Sequence, residues 1–205
     1  MPGTVIRSFA APAQSPSSLT WDGRTLWCGD RGSDLIYQID PETGTVIRSF
    51  AAAGGDPRGL AFDGRTLWVD SQTSDKIYQV DPGTGRQIRS FAAPNARPEG
   101  LTHDGRTLWS SDLAANKIYQ VDPETGTVIR SIASGGGFPA DLAWDGRTLW
   151  LVGINTDNID QIDPETGTLI QSFASPGGRP EGLTFDGRTL WVCDNGTATI
   201  YQIAL

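Results

Sequence analysis

The hexapeptide Asp-Gly-Arg-Thr-Leu-Trp begins at Asp22, Asp63, Asp104, Asp145 and Asp186, a constant step of 41 along a chain of 205 residues. Five near-copies therefore fill the chain, and residues 1–205 read as a single closed domain of five repeats. The step lies among blade-sized repeats of about 40–45 residues, away from the roughly 20–34 of leucine-rich, ankyrin and tetratricopeptide units.

In the copy spanning residues 17–51, four short segments at 19–21, 25–28, 35–39 and 45–51 are separated by Asp22-Gly23, a polar loop at 29–34 and Asp40-Pro41-Glu42-Thr43-Gly44. The segments are rich in β-branched and aromatic residues and bounded by Gly, Pro, Asp and Ser, which predicts strands joined by hairpin turns. Asp22-Gly23 suits a tight hairpin, because glycine tolerates the positive φ such turns demand. Adjacent large residues such as Leu26 and Trp27 break one-sided alternation, so both faces of each sheet must be covered. Radial stacking solves this by packing every sheet between two others. The expected fold is all-β: a five-bladed propeller with four antiparallel strands per blade.

Residues 3–9 repeat residues 44–50, so the chain opens on an outer strand and ends, at 200–203, on a third strand. Pairing the first strand with the last three would complete the fifth blade, close the ring and remove two exposed edges. Ile6 and Phe9 are expected to pack within that blade.

Five of the seven tryptophans, Trp27, Trp68, Trp109, Trp150 and Trp191, hold one repeat position beside a leucine and read as an interblade layer. Arg24, Arg65, Arg106, Arg147 and Arg188 read as an exposed rim whose neighbouring aspartates accept their hydrogen bonds. Arg7, Arg48, Arg89 and Arg130 read as facing solvent. His103, the single histidine, stands where other copies carry Trp21, Phe62, Trp144 and Phe185 and reads as an interblade residue. Cys28 and Cys193 occupy different repeat positions and suggest neither a metal cluster nor a structural disulfide.

The formal charge of -8 argues against nucleic acid and anionic membrane surfaces as partners. No apolar run approaches the roughly 20 residues needed to cross hydrocarbon, and the first residues carry no readable targeting signal. A soluble monomer is expected. Its location stays open, because Asn195-Gly196-Thr197 is a glycosylation acceptor only in a secretory setting and reads first as a turn.

The copies differ in the connection from outer to inner strand, as at 11–18, and in the loop after the tryptophan strand, as at 29–34. Alternating strands place both loop classes at one end of the ring and the repeated turns at the other. Variable loops on a rigid ring suit recognition. At that end the residue before the inner strand reads Ser17, Arg58, Glu99, Ala140 and Glu181, followed by Ser18, Gly59, Gly100, Asp141 and Gly182. Arg58, Glu99, Asp141 and Glu181 are candidate ligand-binding residues. Their carboxylates are also possible donors to a divalent cation, although pairing with Arg58, Arg97 or Arg179 explains them equally. Asp30, Asp112 and Asp194 read as loop caps, with Ser71 and Gly153 at the matching positions. Phe138, Ile154, Asn155, Asp157 and Asn158 make the fourth copy the most divergent and suggest a local groove, adding Phe138 and Asn155 to the candidates.

No phosphate loop, zinc spacing, His-Glu-X-X-His or Gly-X-Ser-X-Gly element occurs, so no catalytic residue is assigned. Through Leu60-Ala61-Phe62-Asp63-Gly64-Arg65-Thr66-Leu67-Trp68-Val69 and Ile77-Tyr78-Gln79-Val80-Asp81-Pro82, the repeat resembles bacterial propeller repeats of the broad NHL, YVTN and gluconolactonase-like type. The resemblance implies blade architecture over the whole chain. Similar propellers include metal-dependent lactonases, lyases and noncatalytic interaction domains. The near-identity of the copies is similar to that of recently amplified natural propellers and of designed ones. The expected function is a noncatalytic display or recognition scaffold for a glycan or peptide. The alternatives are a structural or designed propeller without a ligand, or a metal-dependent lactonase or lyase in which Glu99, Asp141 and Glu181 hold the ion.

Overall fold

The computed structural model describes residues 1–135 and 138–205. After β1 (Val5–Ala10), blade I comprises β2 (Pro16–Trp21), β3 (Leu26–Asp30), β4 (Leu35–Ile39) and β5 (Val46–Ala51). Blade II comprises β6 (Pro57–Phe62), β7 (Leu67–Ser71), β8 (Lys76–Val80) and β9 (Gln87–Ala92). Blade III comprises β10 (Pro98–His103), β11 (Leu108–Asp112), β12 (Lys117–Val121) and β13 (Val128–Ala133). Blade IV comprises β14 (Pro139–Trp144), β15 (Leu149–Gly153), β16 (Asn158–Ile162) and β17 (Leu169–Ala174). β18 (Pro180–Phe185), β19 (Leu190–Asp194) and β20 (Thr199–Ile203) join β1 in blade V, in the order β1-β20-β19-β18.

This is the five-bladed ring expected, closed by antiparallel pairing of β1 with β20 from Val5 opposite Ile203 to Ala10 opposite Thr199. The inner strand starts earlier than the sequence suggests, at Pro16, and β3 runs on to Asp30. The pairings of Asp30 with Pro16 and with Leu35 explain the extension. The first hairpin is also wider than a two-residue turn. Trp21 pairs with Leu26, and the four residues between them are bound by the Asp22 carboxylate to the amides of Arg24 and Thr25.

The cores lie between blades. Trp27 of blade I packs with Leu60, Leu67 and Val69 of blade II, and Trp191 of blade V packs with Leu19, Leu26 and Cys28 of blade I. Every residue of β3, β7, β11, β15 and β19 is buried, which is the two-sided cover that failed alternation implied. Phe9 meets Trp191 at 5.9 Å between ring centroids, and Phe50, Phe91 and Phe173 repeat that contact on Trp27, Trp68 and Trp150. The same phenylalanines lie against the next blade. A Cβ on Gly44 would fall 2.7 Å from the Phe9 ring, and Gly44 adopts a φ of +72°, so a larger residue there would be crowded and strained at once.

Ile6 departs from expectation: it is exposed, as are Val5, Val46, Ile47, Val128 and Ile129. The outermost strand has no blade beyond it, so only its third apolar residue, the phenylalanine position, turns into an interblade layer. Arg7, Arg89 and Arg130 are not free in solvent. They bind Glu42, Glu124 and Glu165, each in the next blade's proline turn, and Arg48 donates to the Gly83 carbonyl where that glutamate is missing. Cys28 and Cys193 are buried free thiols in one cluster between blades V and I, and burial pushes both thiols up, with the charges of Asp30 and Asp141 adding to it at Cys28. No helix among the described residues is long and apolar enough to cross a membrane.

Candidate functional site

The two variable loop classes meet at one end of every blade. The amides of Arg31, Gln72, Leu113, Ile154 and Asn195, each just beyond a tryptophan strand, donate to the carbonyls of Ser15, Asp56, Arg97, Phe138 and Arg179 in the preceding connection. Asp30, Asp112 and Asp194 brace both loops, as capping residues should. Asp112, for example, accepts the Arg97 amide at 2.9 Å through one oxygen and the Ala115 amide at 2.6 Å through the other. The loops close on residues of positive φ at one repeat position, Asp34, Asp75, Asn116, Asp157 and Ala198, which gives this end a rigid frame.

The inner strands carry the remaining candidates on a recurring irregularity. Between Pro16 and Ser18 the register with β3 shifts, leaving Ser17 as an extra residue, and the same shift falls at Arg58, Ala140 and Glu181. In blade III the break spans Glu99 and Gly100. A bulge frees its residue from the ladder's alternation and re-aims the side chain, which is how ordinary inner strands present these positions around the axis.

The structure brings Arg58 and Glu99 together and binds Glu181 to a separate pair of arginines. Arg58 donates to Glu99 at 3.2 Å and to Asp56 at 2.8 Å, and Gln72 donates to the other Glu99 oxygen at 2.8 Å. Arg31 binds Glu181 through both terminal nitrogens at 2.8 and 3.1 Å, with Arg179 at 3.6 Å. Burial pushes the carboxyls of Glu99 and Glu181 above the usual range, and the surrounding arginines oppose it. Glu99 also feels the charge of Arg31, and Glu181 that of Arg58, so the two groups share one electrostatic field. Their oxygens are already committed to arginine and amide donors. Among the described residues no group of three or more His, Cys, Asp or Glu side chains is arranged to hold a metal ion.

Asp141 takes no part in those ion pairs and is wholly buried. Its Oδ2 accepts the amides of Leu183 at 2.9 Å and Leu19 at 3.2 Å, and its Oδ1 those of Leu142 at 2.9 Å and Leu101 at 3.2 Å. Four blades thus converge on one carboxylate. Burial pushes this carboxyl well above the usual range, and the four amide donors pull it back.

Phe138 and Asn155 lie elsewhere, in a groove of about 330 Å³ between blades III and IV, lined also by Arg97, Leu113, Ala114 and Ile154. Phe138 is 45% exposed. The Arg97 guanidinium makes no hydrogen bond or ion pair among the described residues, although its backbone amide is fixed by Asp112. Larger clefts, of about 430, 630 and 440 Å³, sit at the opposite end in blades I, IV and III. They repeat one set of turn residues, such as Arg24, Gln38, Glu42 and Ile47 in blade I, and so follow from the repeat itself.

His103 is half-buried, accepts the Gly105 amide through Nδ1 at 3.2 Å, and feels the charge of Asp63 in the neighbouring blade. Burial lowers its pKa, as suits a neutral interblade ring. The rim arginines differ from expectation in one respect. The aspartates accept the backbone N–H of Arg24, Arg65, Arg106, Arg147 and Arg188, and their remaining capacity goes to threonine and tryptophan.

No family model and no curated protein sequence matches the chain. Among solved structures, the glutaminyl cyclase of Myxococcus xanthus superposes with a TM-score of 0.83 at 13% identity, over 98% of this chain and 94% of that one. Virginiamycin B lyase from Staphylococcus aureus gives 0.59 at 19% identity, over 96% and 68%. The WD40 propeller domain of Doa1 gives 0.62 at 14%, over 91% and 62%. At these identities the likeness is one of fold: the chain is a five-bladed β-propeller.

Proposed function

We propose that the protein is a noncatalytic recognition scaffold that binds a peptide in the groove between blades III and IV. The observation that carries this reading is an apolar groove at the loop-bearing end whose wall holds the Arg97 guanidinium, which has no hydrogen bond or ion pair among the described residues. Leu113, Ala114, Phe138 and Ile154 suit a buried apolar side chain, Arg97 suits a carboxylate through its planar fork, and Asn155 suits a peptide bond. With two polar residues against four apolar ones, the lining favours a peptide over a glycan, whose hydroxyls need more partners. Commitment of Glu99 and Glu181 to arginines supports binding rather than metal-assisted hydrolysis at the mouth. The resemblance to NHL, YVTN and gluconolactonase-like repeats is compatible, since that group includes noncatalytic interaction domains.

Selection of a random peptide library on the full chain tests the reading. Enrichment of peptides pairing an apolar residue with a nearby carboxylate is expected, with at least about tenfold weaker binding to Phe138→Ala and Arg97→Ala. Both variants should keep the unfolding midpoint. Absence of enrichment, or a glycan-array signal indifferent to both substitutions, would reject it.

A further inference from the structure

The innermost strand of a blade has no strand on its axial side, so its amides there must find another acceptor. In four of the five blades one inner-strand amide finds it in the same side chain. Leu19, Leu101, Leu142 and Leu183 hold one repeat position in blades I, III, IV and V, and their N–H groups take up both oxygens of Asp141, two apiece. A carboxylate offers about four lone-pair sites. Donors and acceptors therefore match, and the donors carry no formal charge, as in other anion sites built from converging backbone amides.

There is room for one such side chain only. The residues matching Asp141 are Ser18, Gly59, Gly100 and Gly182. A Cβ on Gly59 would lie 2.6 Å from the Leu101 nitrogen, one on Gly182 would lie 2.8 Å from the Ser18 backbone, and one on Gly100 would run into the Asp141 backbone. Glycine at these positions lets the inner strands close around the axis. Aspartate in blade IV then fills the space and meets the amides of four blades.

We propose that the axis of the ring is an anion site whose resident ligand is the Asp141 side chain, and that the same ring of amides takes up a small free carboxylate once that side chain is removed. Formate is the fitting probe. It keeps the carboxylate and drops the Cβ, leaving space for its single hydrogen towards the backbone. The site is independent of the groove proposed above and stands whether or not that groove binds a peptide.

The experiment is thermal unfolding of Asp141→Gly and Asp141→Asn beside the parent chain, in sodium formate and in sodium gluconate at equal ionic strength. Gluconate is too large for the space and controls for general salt effects. Asp141→Gly should melt well below the parent in gluconate and regain part of the loss in formate, with a midpoint that climbs with formate concentration, because a ligand that binds only the folded state stabilises by mass action. Asp141→Asn should melt below the parent in both salts, since its NH2 group faces amide donors and the space is already filled. The parent should be indifferent to the anion. If Asp141→Gly does not fold in gluconate, folding in formate alone supports the proposal. If it folds in neither, Asp141→Ser, the residue blade I carries, is compared in the same way and decides. Equal midpoints for the cavity variant in the two salts, or an Asp141→Asn as stable as the parent, would overturn it.

Discussion

The indole N–H of Trp109 donates to Oδ2 of Asp104 at 2.8 Å, tying the interblade layer to the hairpin that precedes it. The same oxygen accepts the Thr107 hydroxyl at 2.6 Å, and Gln120 on the third strand donates to that hydroxyl at 2.9 Å. Each blade repeats this chain of contacts around Asp22, Asp63, Asp145 and Asp186. Turn, second strand and third strand are thereby locked together by one carboxylate, which also orients the largest side chain of the core.

Replacing Asp104 by Asn should cost about 1–3 kcal/mol, because an NH2 group then faces donors that had an acceptor. Burial opposes ionisation of Asp104, but the hydrogen bonds from Thr107, Trp109 and the Arg106 amide prevail and hold its carboxyl below the ordinary 3.8. A carboxyl depressed in the folded state contributes stability that is complete above the unfolded value and lost as pH falls through the folded one. The deficit of Asp104→Asn relative to the parent should therefore be full at neutral pH and shrink below 3.8. Urea unfolding across that range measures it, and a deficit independent of pH would contradict the assignment.

Ring closure supplies a second prediction. β1 is the only strand that pairs with β20 on its outer side, and Phe9 covers Trp191 while supporting Gly44 of blade I. Deleting residues 1–10 removes the strand, opens an edge and uncovers the layer between blades V and I, so the cooperative unfolding midpoint should fall sharply. A synthetic peptide of residues 1–10 added in excess should restore part of it. Phe9→Ala should account for more of the loss than Ile6→Ala, since Ile6 is 51% exposed.

These cases show where a sequence discloses its structure. Blade number, strand order and closure followed from a 41-residue step and the phase of the two ends, because repetition makes each local inference count five times. The Asp104 to Trp109 contact was visible as a repeated pair but read as two separate roles, turn and core, since nothing in the spacing says that an indole nitrogen meets a carboxylate. Ile6 was misread because a strand pattern does not tell which strand lies at the rim. Asp141 was hardest. It differs from its four counterparts, so periodicity is silent about it, and its partners Leu19 and Leu183 lie far along the chain on either side. Arg58, Glu99 and Glu181 were singled out by their position before the inner strand, while the bulges at these positions left no mark beyond the proline before each.

The layer between blades II and III contains a costly pair. Asp70 is wholly buried, accepts only the Ser110 hydroxyl, at 3.0 Å, and its Oδ1 has no hydrogen-bond partner among the described residues. At the matching positions of blades IV and V stand Val152 and Val192, which pack in one apolar cluster. Copying that pair as Asp70→Val with Ser110→Val removes a buried polar atom without leaving its partner stranded, which is worth about 1–3 kcal/mol. Burial pushes the Asp70 carboxyl well above 3.8, the Ser110 hydrogen bond opposes this, and the charges of Glu99 and Asp112 add to it. A carboxyl raised in the folded state lends stability that is complete below its unfolded value and lost as pH climbs through the folded one. The parent is thus penalised at neutral pH and relieved in acid. The double variant should melt above the parent at neutral pH, with an advantage that narrows as pH is lowered towards 3.8. Calorimetry from roughly pH 8 down to 4 reads the trend. A constant difference would mean that the Asp70 carboxyl titrates alike in the folded and unfolded chains, so that burial does not oppose its ionisation, and a lower midpoint for the double variant would show that the Asp70–Ser110 contact stabilises the interface more than apolar packing does.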